Sequence, residues 1–287
     1  MNTCRVCGST CSQALFRSGE LGVRRCRACT HVYLDVNPDK TTILKMYADY
    51  GKQGQSRYFS GVDPDVLRHL DEYLHRCKNS LRGRLEPTLL DVGCGSGVLL
   101  LRATKLGFKC TGIEICQPLA LLARERARCN VYQEFLLQLS FPTASFDVVT
   151  MYDLIEHLSD PRVDVREIFR ILKPGGIFFA LTPNNDALVR RISRMLYRAS
   201  FHQLKAPIRR LYYSDHLSYF TFASLSSLLK AEGFTITSLE SANQELSRLL
   251  LSRMERVAVE SLFFLSAPLK YSKGKLIVYA RKPELSQ

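Results

Sequence analysis

Four cysteines near the start of the chain are spaced for metal chemistry. Cys4-x2-Cys7 and Cys26-x2-Cys29 are two short knuckles separated by 18 residues. Each pair can aim two thiolates at one tetrahedral Zn²⁺. Residues 1–38 are too few to build a sufficient core, and metal binding supplies the missing folding energy in units of that size. A closed, structural four-thiolate site is therefore expected over residues 1–38, a zinc ribbon. Cys11 and His31 are spare donors close by.

A second constellation is the run Asp91-Val92-Gly93-Cys94-Gly95-Ser96-Gly97. Thr88 to Val92 before it has the pattern of a buried strand, and Val98 to Leu106 after it reads as a helix. Glycines in a strand–loop–helix context let the backbone approach a ligand closely, at a helix N-terminus that favours an anion. A dinucleotide loop needs its third glycine at position 98, which is valine here, and no Lys-Ser/Thr follows to make a P-loop. Asp91 can orient the loop or meet an ammonium group. Glu114, at the end of the next apolar run, can accept two hydrogen bonds from a ribose diol. His157, just past the run 146–152, and His216 are the candidate general bases. A loop histidine held by hydrogen bonds is the alternative for each. Asp153, at the same exit as His157, reads as a contact to cofactor or backbone rather than as a base.

The elements that must carry these residues alternate. Apolar runs at 88–92, 109–114, 146–152, 176–182, 234–239 and 275–280 are separated by helical patterns. Val165, Ile168, Phe169 and Leu172 form one such face, stopped at Lys173-Pro174-Gly175-Gly176. Phe222, Leu225, Leu228 and Leu229 form another, with Thr221 as N-cap and Gly233 as terminator. Leu67, Leu70, Leu74 and Cys77 predict one face of a helix started by Asp63-Pro64, within a helical reading of 40–80. Lys78 to Pro87 reads as a polar linker. The fold class is α/β: a doubly wound, mostly parallel Rossmann-like sheet with an antiparallel last strand, plus the small N-terminal ribbon. The units are 1–38, a helical linker or lid at 39–87, and a Rossmann-like domain at 88–287. Within the last, 185–215 is a basic cap insertion and 243–270 an apolar helical one.

Asp91-x-Gly93-x-Gly95-x-Gly97 resembles motif I of the class I S-adenosylmethionine-dependent methyltransferases. Four more segments are similar in order and spacing: Ile113-Glu114, Ser145 to Leu158, Leu172 to Gly176, and His216 to Thr221 with Ala231 to Phe234. The resemblance implies S-adenosylmethionine as cofactor, with Glu114 on the ribose hydroxyls and Asp91, Gly93, Gly95, Gly97, Tyr152 and Asp153 lining the site. Phe135 occupies the place where the family often has an acidic residue for the adenine amine, leaving Gln133 or Glu134 to substitute. Among its members the motif set resembles the ubiquinone-type O-methyltransferases. A zinc module ahead of such a domain resembles bacterial sugar C-methyltransferases and some ribosomal RNA guanine methyltransferases.

The implied reaction is O- or C-methylation of a small-molecule, sugar or lipid-linked acceptor. An RNA methyltransferase using the ribbon to bind RNA, and a catalytically silent binding protein, are the alternatives. No Asn/Asp-Pro-Pro-Tyr/Phe element of amine-methylating enzymes follows the fourth strand. A formal net charge of +13 over 287 residues favours anionic partners, whether nucleic acid, a membrane surface or a phosphorylated substrate, and does not choose among them. Arg190, Arg191, Arg194, Arg198, Lys205, Arg209 and Arg210 concentrate that charge in the 185–215 segment, interleaved with apolar residues. No apolar stretch approaches a membrane-spanning length, and the N-terminus has no signal-peptide pattern. A cytoplasmic location, with peripheral contact at the inner membrane surface as a variant, is the expectation.

Overall fold

The computed structural model describes residues 3–18, 21–36, 38–39, 41–42, 64–81, 83–212, 216–242, 261 and 273–284. The helical reading of 43–63 and, apart from Ser261, the apolar insertion at 243–270 lie outside them.

Seven strands form the main sheet: β4 (Thr88–Val92), β5 (Lys109–Ile113), β6 (Asn130–Tyr132), β7 (Phe146–Tyr152), β8 (Leu172–Pro183), β10 (Thr235–Ala242) and β11 (Lys275–Arg281). Their order is β10-β11-β8-β7-β4-β5-β6. The five from β8 to β6 run parallel, and β11 is antiparallel to both β8 and β10. The sheet divides the core by the two-residue period of its strands. Leu90, Val149, Phe178 and Val278 face α4 (Pro161–Ile171) and α7 (Phe222–Ala231). Leu89, Val148, Phe179 and Ile277 face α1 (Pro64–Asn79), α2 (Val98–Lys105) and α3 (Gln117–Ala127). Chain order reverses at β4, which has β5 on one side and β7 on the other. The crevice beyond its carboxyl end is where such sheets bind ligands.

Local signals account for the helix ends. Thr221 and Ser224 exchange side-chain and backbone bonds in a capping box at the start of α7. Asp160 caps α4, which has Pro161 at its first position. In α1 the inward face is Val66, Leu70, Leu74 and Cys77, so Val66 replaces the expected Leu67. Both are apolar, and packing against the sheet selects Val66. The stretch before β4 does more than link. Leu81 is buried, and Arg84 reaches Asp147 and the Pro174 carbonyl.

The ribbon builds a second, antiparallel sheet from β1 (Ser12–Ser18), β2 (Leu21–Cys26) and β3 (Val32–Leu34). Its fourth strand, β9 (Ser218–Tyr219), comes from far along the chain and pairs Val32 with Tyr219 and Tyr33 with Ser218. Phe16, Val23, Val32 and Leu34 share one apolar cluster with Tyr197, Ile208, Tyr212, Leu217 and Tyr219. The described residues of 1–38 thus pack against the larger unit. No described helix is long and apolar enough to cross a membrane.

Candidate active site

Three glycines with left-handed backbone shape the loop after β4, at φ 73°, 52° and 76° for Gly93, Gly95 and Gly97. The amides of Gly93 and Cys94 donate to the Ile113 carbonyl at 2.8 and 2.9 Å, tying the loop to the end of β5. Gly97 caps α2, and a Cβ there would lie 2.7 Å from the Ala123 Cα, so this glycine allows α2 and α3 to pack closely. A Cβ at Gly95 would meet nothing within 4 Å. Gly95 therefore presents bare backbone to open space, as a ligand cradle requires.

Two carboxylates lie buried behind this loop. Glu114 accepts from the amides of Gly95 at 2.9 Å and Cys116 at 2.8 Å. Burial pushes its pKa up while those amides pull it down. Two carboxylate oxygens offer about four lone-pair sites, so acceptor capacity remains for a diol. Asp91 accepts from the Thr150 hydroxyl at 2.6 Å, and burial raises its pKa to about 7. A cation bound nearby would pull it back down. Glu134 is half-buried, and its carboxylate accepts from the Phe135 amide at 3.0 Å. Phe135 itself is half-buried on the same edge of the sheet.

Beyond β7 the chain turns at Asp153, which has φ 53° and a carboxylate paired with Lys275 of β11. Tyr152 is half-buried at the strand end. Residues 155–157 form one 3₁₀ turn that carries Glu156 and His157 to His216. The two imidazole rings stand edge to face, 4.6 Å apart. One ligand atom from each of Glu156, His157 and His216 lies within 4.8 Å of the other two. Glu156 is fully buried. One oxygen accepts from the Thr182 hydroxyl at 2.8 Å, and the other has no partner. Burial, reinforced by the Asp153 charge, lifts its pKa well above the usual carboxylate range. Burial holds the His216 pKa far below that of a free imidazole, with the neighbouring His157, Arg190 and Lys275 adding to the effect.

Glu156, Thr182 and Lys275 were not singled out from the sequence. The available signal was an acidic residue inside the apolar turn Leu154-Ile155-Glu156-His157-Leu158. Nothing local links it to Thr182 or Lys275.

The four ribbon cysteines converge, with their sulfurs all within 4.8 Å of one another. Cys4 and Cys29 are 3.4 Å apart, Cys7 and Cys26 3.6 Å. Four thiols in this arrangement match the donor set of a tetrahedral zinc site. The spare donors stay apart from it. Cys11 is exposed, and His31 is fully buried with its Nε2 3.2 Å from the Ser218 hydroxyl and its ring against Phe220.

Residues 63–239 match the family described as a methyltransferase domain. The chain belongs to that family. Among curated relatives, the methyltransferase domain is similar to a ubiquinone biosynthesis O-methyltransferase of Xanthomonas oryzae pv. oryzae strain PXO99A. It is 34% identical over 128 residues, 40% of this chain and 54% of that protein. A ubiquinone biosynthesis O-methyltransferase of Nitrosococcus oceani is 31% identical over 159 residues, 53% of this chain and 64% of that protein. The chain thus spans half to two-thirds of the length of these relatives. Among solved structures, a SAM-dependent methyltransferase from Archaeoglobus fulgidus superposes with a TM-score of 0.54 at 19% identity, covering 82% of this chain and 100% of that one. The [4+2]-cyclase SpnF has a TM-score of 0.51 at 20% identity, over 75% and 82% of the two chains. These likenesses show the α/β fold of S-adenosylmethionine-dependent methyltransferases. That a cyclase shares it leaves the chemistry to be argued from the site.

Proposed function

We propose that this methyltransferase domain moves the methyl group of S-adenosylmethionine to an oxygen or carbon nucleophile on a small-molecule, sugar or lipid-linked acceptor. The observation that carries the reading is the cradle itself: open space over Gly95 with the buried carboxylates of Glu114 and Asp91 behind it. When bound, the cofactor supplies an electrophilic sulfonium methyl. The chain's own work is to hold and align. Glu114 would take the ribose hydroxyls, and Asp91 would meet the cationic end, where positive charge would keep its carboxyl ionised. Tyr152 and Asp153 close the strand exit, and Glu134 would be the carboxylate available to the adenine amine. Displacement at a preformed cation depends chiefly on alignment.

His157 is the more exposed of the imidazole pair, and it takes the acceptor's proton. His216 stays neutral through burial and positions His157 through their edge-to-face contact. Four thiolates at Cys4, Cys7, Cys26 and Cys29 hold one structural zinc, which stabilises the ribbon against the domain. The named relatives act in ubiquinone biosynthesis, which supports an O-methyl acceptor of small size.

Label transfer tests the proposal. Full-length protein is incubated with methyl-labelled cofactor and fractionated cell extract. Label in the lipid or small-molecule fraction is the expected result. Label confined to RNA would overturn the acceptor class, and cofactor binding without transfer into any fraction would overturn the enzyme reading.

A further inference from the structure

The segment after β8 shows an apolar surface of unusual orientation. It contains α5 (Leu188–Ala199) and α6 (Ala206–Leu211). Residues 188–212 include six arginines and one lysine and no acidic residue. In α5 the buried positions are Arg190, Ser193 and Tyr197. Arg190 donates to the Leu211 carbonyl at 2.6 Å, and its guanidinium lies 4.9 and 5.1 Å from the ring centres of Tyr212 and Tyr219. Arg194 donates to the Tyr212 hydroxyl at 2.7 Å. Leu188, Ile192, Met195, Leu196 and Ala199 occupy the other side at the 100° step of a helix. The helix therefore turns a polar, aromatic-bound face inward and its apolar face outward.

The outward face is exposed. Met195 is 62% exposed, Leu196 42%, Phe201 87% and Leu204 43%. Ten large apolar side chains are exposed among the described residues, and these four fall within positions 195–204 while the other six are scattered. Scattered ones need no explanation, but a contiguous set does. Arg191, Arg198, Lys205 and Arg209 in the same segment are exposed too.

We propose that α5 and the turn to Leu204 dock on an anionic lipid bilayer. Exposed apolar side chains and exposed cations on one segment, with no negative charge on the helix, match an interface with an apolar interior and anionic headgroups. A nucleic acid would satisfy the cations alone and would leave Met195, Leu196 and Leu204 in water. The docked element is tied to the segment that carries His216. Just before α5, the Asn185 amide donates to the Phe220 carbonyl at 2.8 Å, and Arg190 rests on Tyr219 of β9, the strand that follows His216. Docking brings the cap of the site to the membrane surface whichever acceptor is methylated.

The test is co-sedimentation of the full-length protein with vesicles of phosphatidylcholine alone and of an equal mixture with phosphatidylglycerol. Affinity at least about ten-fold higher for the mixture, falling with added salt, is expected. Phe201→Glu and Met195→Glu should each weaken it by about ten-fold or more with the melting temperature unchanged. Equal binding to the two vesicle types, or variants that bind as the parent does, would overturn the proposal. Three further outcomes also overturn it in favour of another occupant. Salt-sensitive RNA binding that displaces vesicles and survives Phe201→Glu points to nucleic acid. Lack of vesicle binding together with a lowered melting temperature in both variants points to coverage by the chain's own Leu262-Phe263-Phe264-Leu265 segment. Lack of vesicle binding with a concentration-dependent dimer that Phe201→Glu dissolves points to a second copy of the chain.

Discussion

Replacing Gly97 by alanine is expected to cost mainly stability, and replacing Gly95 mainly cofactor affinity. Both residues have left-handed backbones, so either alanine pays about 1–2 kcal/mol for its conformation. At Gly97 the new methyl lies 2.7 Å from the Ala123 Cα and 2.8 Å from its Cβ, a contact with backbone that no side-chain rotation relieves. Overpacking of that kind adds about 1–3 kcal/mol. The total is about 2–5 kcal/mol, or roughly 3–8 °C in melting temperature for a chain of this size. At Gly95 the methyl meets nothing within 4 Å and fills the cradle instead. Loss of about ten-fold or more in affinity, ~1.4 kcal/mol, is expected there. The assays are urea unfolding and calorimetric titration with S-adenosylhomocysteine, run on both variants. The reasoning fails if Gly95→Ala loses more stability than Gly97→Ala, or if Gly97→Ala loses more affinity than Gly95→Ala.

Stability should fall as pH rises from about 4 to about 8 and level off above that, because burial raises the Asp91 pKa to about 7 and that of Glu156 to about 8. A raised folded-state pKa contributes stability that is complete below the unfolded value near 4 and is lost as pH rises through the folded value. Asp91→Asn should flatten the slope of the urea midpoint against pH, and an unchanged slope would remove Asp91 from the account. At the acid end, hydrogen bonds from Lys173, Thr88 and Arg84 outweigh burial and hold Asp147 down at about 2, so its contribution is lost as pH falls from about 4 toward 2. Asp147→Asn should cost about 2 kcal/mol at neutral pH by urea unfolding, below the figure for a fully buried pair because Arg84 and Lys173 stay partly wet. Purified protein should carry one zinc per chain by atomic emission. Its removal by a chelator should lower the melting of the whole chain by calorimetry, since the ribbon core is shared with Tyr197, Tyr212 and Tyr219. His157→Gln should lower methyl transfer by about 10²–10⁴-fold with cofactor affinity retained, and wild-type turnover in that variant would exclude the base role.

Much of the sheet was legible because its strands carry their own period. Leu89 and Leu90, or Phe178 and Phe179, already alternate between two faces before any neighbour is known. The loop glycines and the cysteine knuckles are also local: a tight turn and a pair of thiolates are specified within a few residues. The phase of α1 was harder. Val66 and Leu67 are equally apolar, and the helix periodicity tolerates either until the sheet is present. Strand β9 was not legible at all, since two residues have no period and only pairing with β3 makes Ser218 and Tyr219 a strand. The outward apolar face of α5 was hidden for a related reason. An amphipathic pattern predicts that a helix has two faces, but the partners Tyr212 and Tyr219 decide that Arg190 turns inward.

Chain connectivity and short-range periodicity by themselves determined the Gly93–Gly97 loop, the Cys4–Cys29 donor set, the strand–helix alternation and the position of Glu114 after the second strand of that alternation. These depend on neighbours within a few residues, which the sequence states directly. Tertiary structure alone decided the chemical state of the site. It brought Glu156 beside Thr182, Asp153 beside Lys275 across 122 positions, and His157 against His216. Burial and long-range pairing set which carboxyls keep their protons and which imidazoles stay neutral. The free energy of a charge depends on everything packed around it, and that surrounding exists only once the chain has folded.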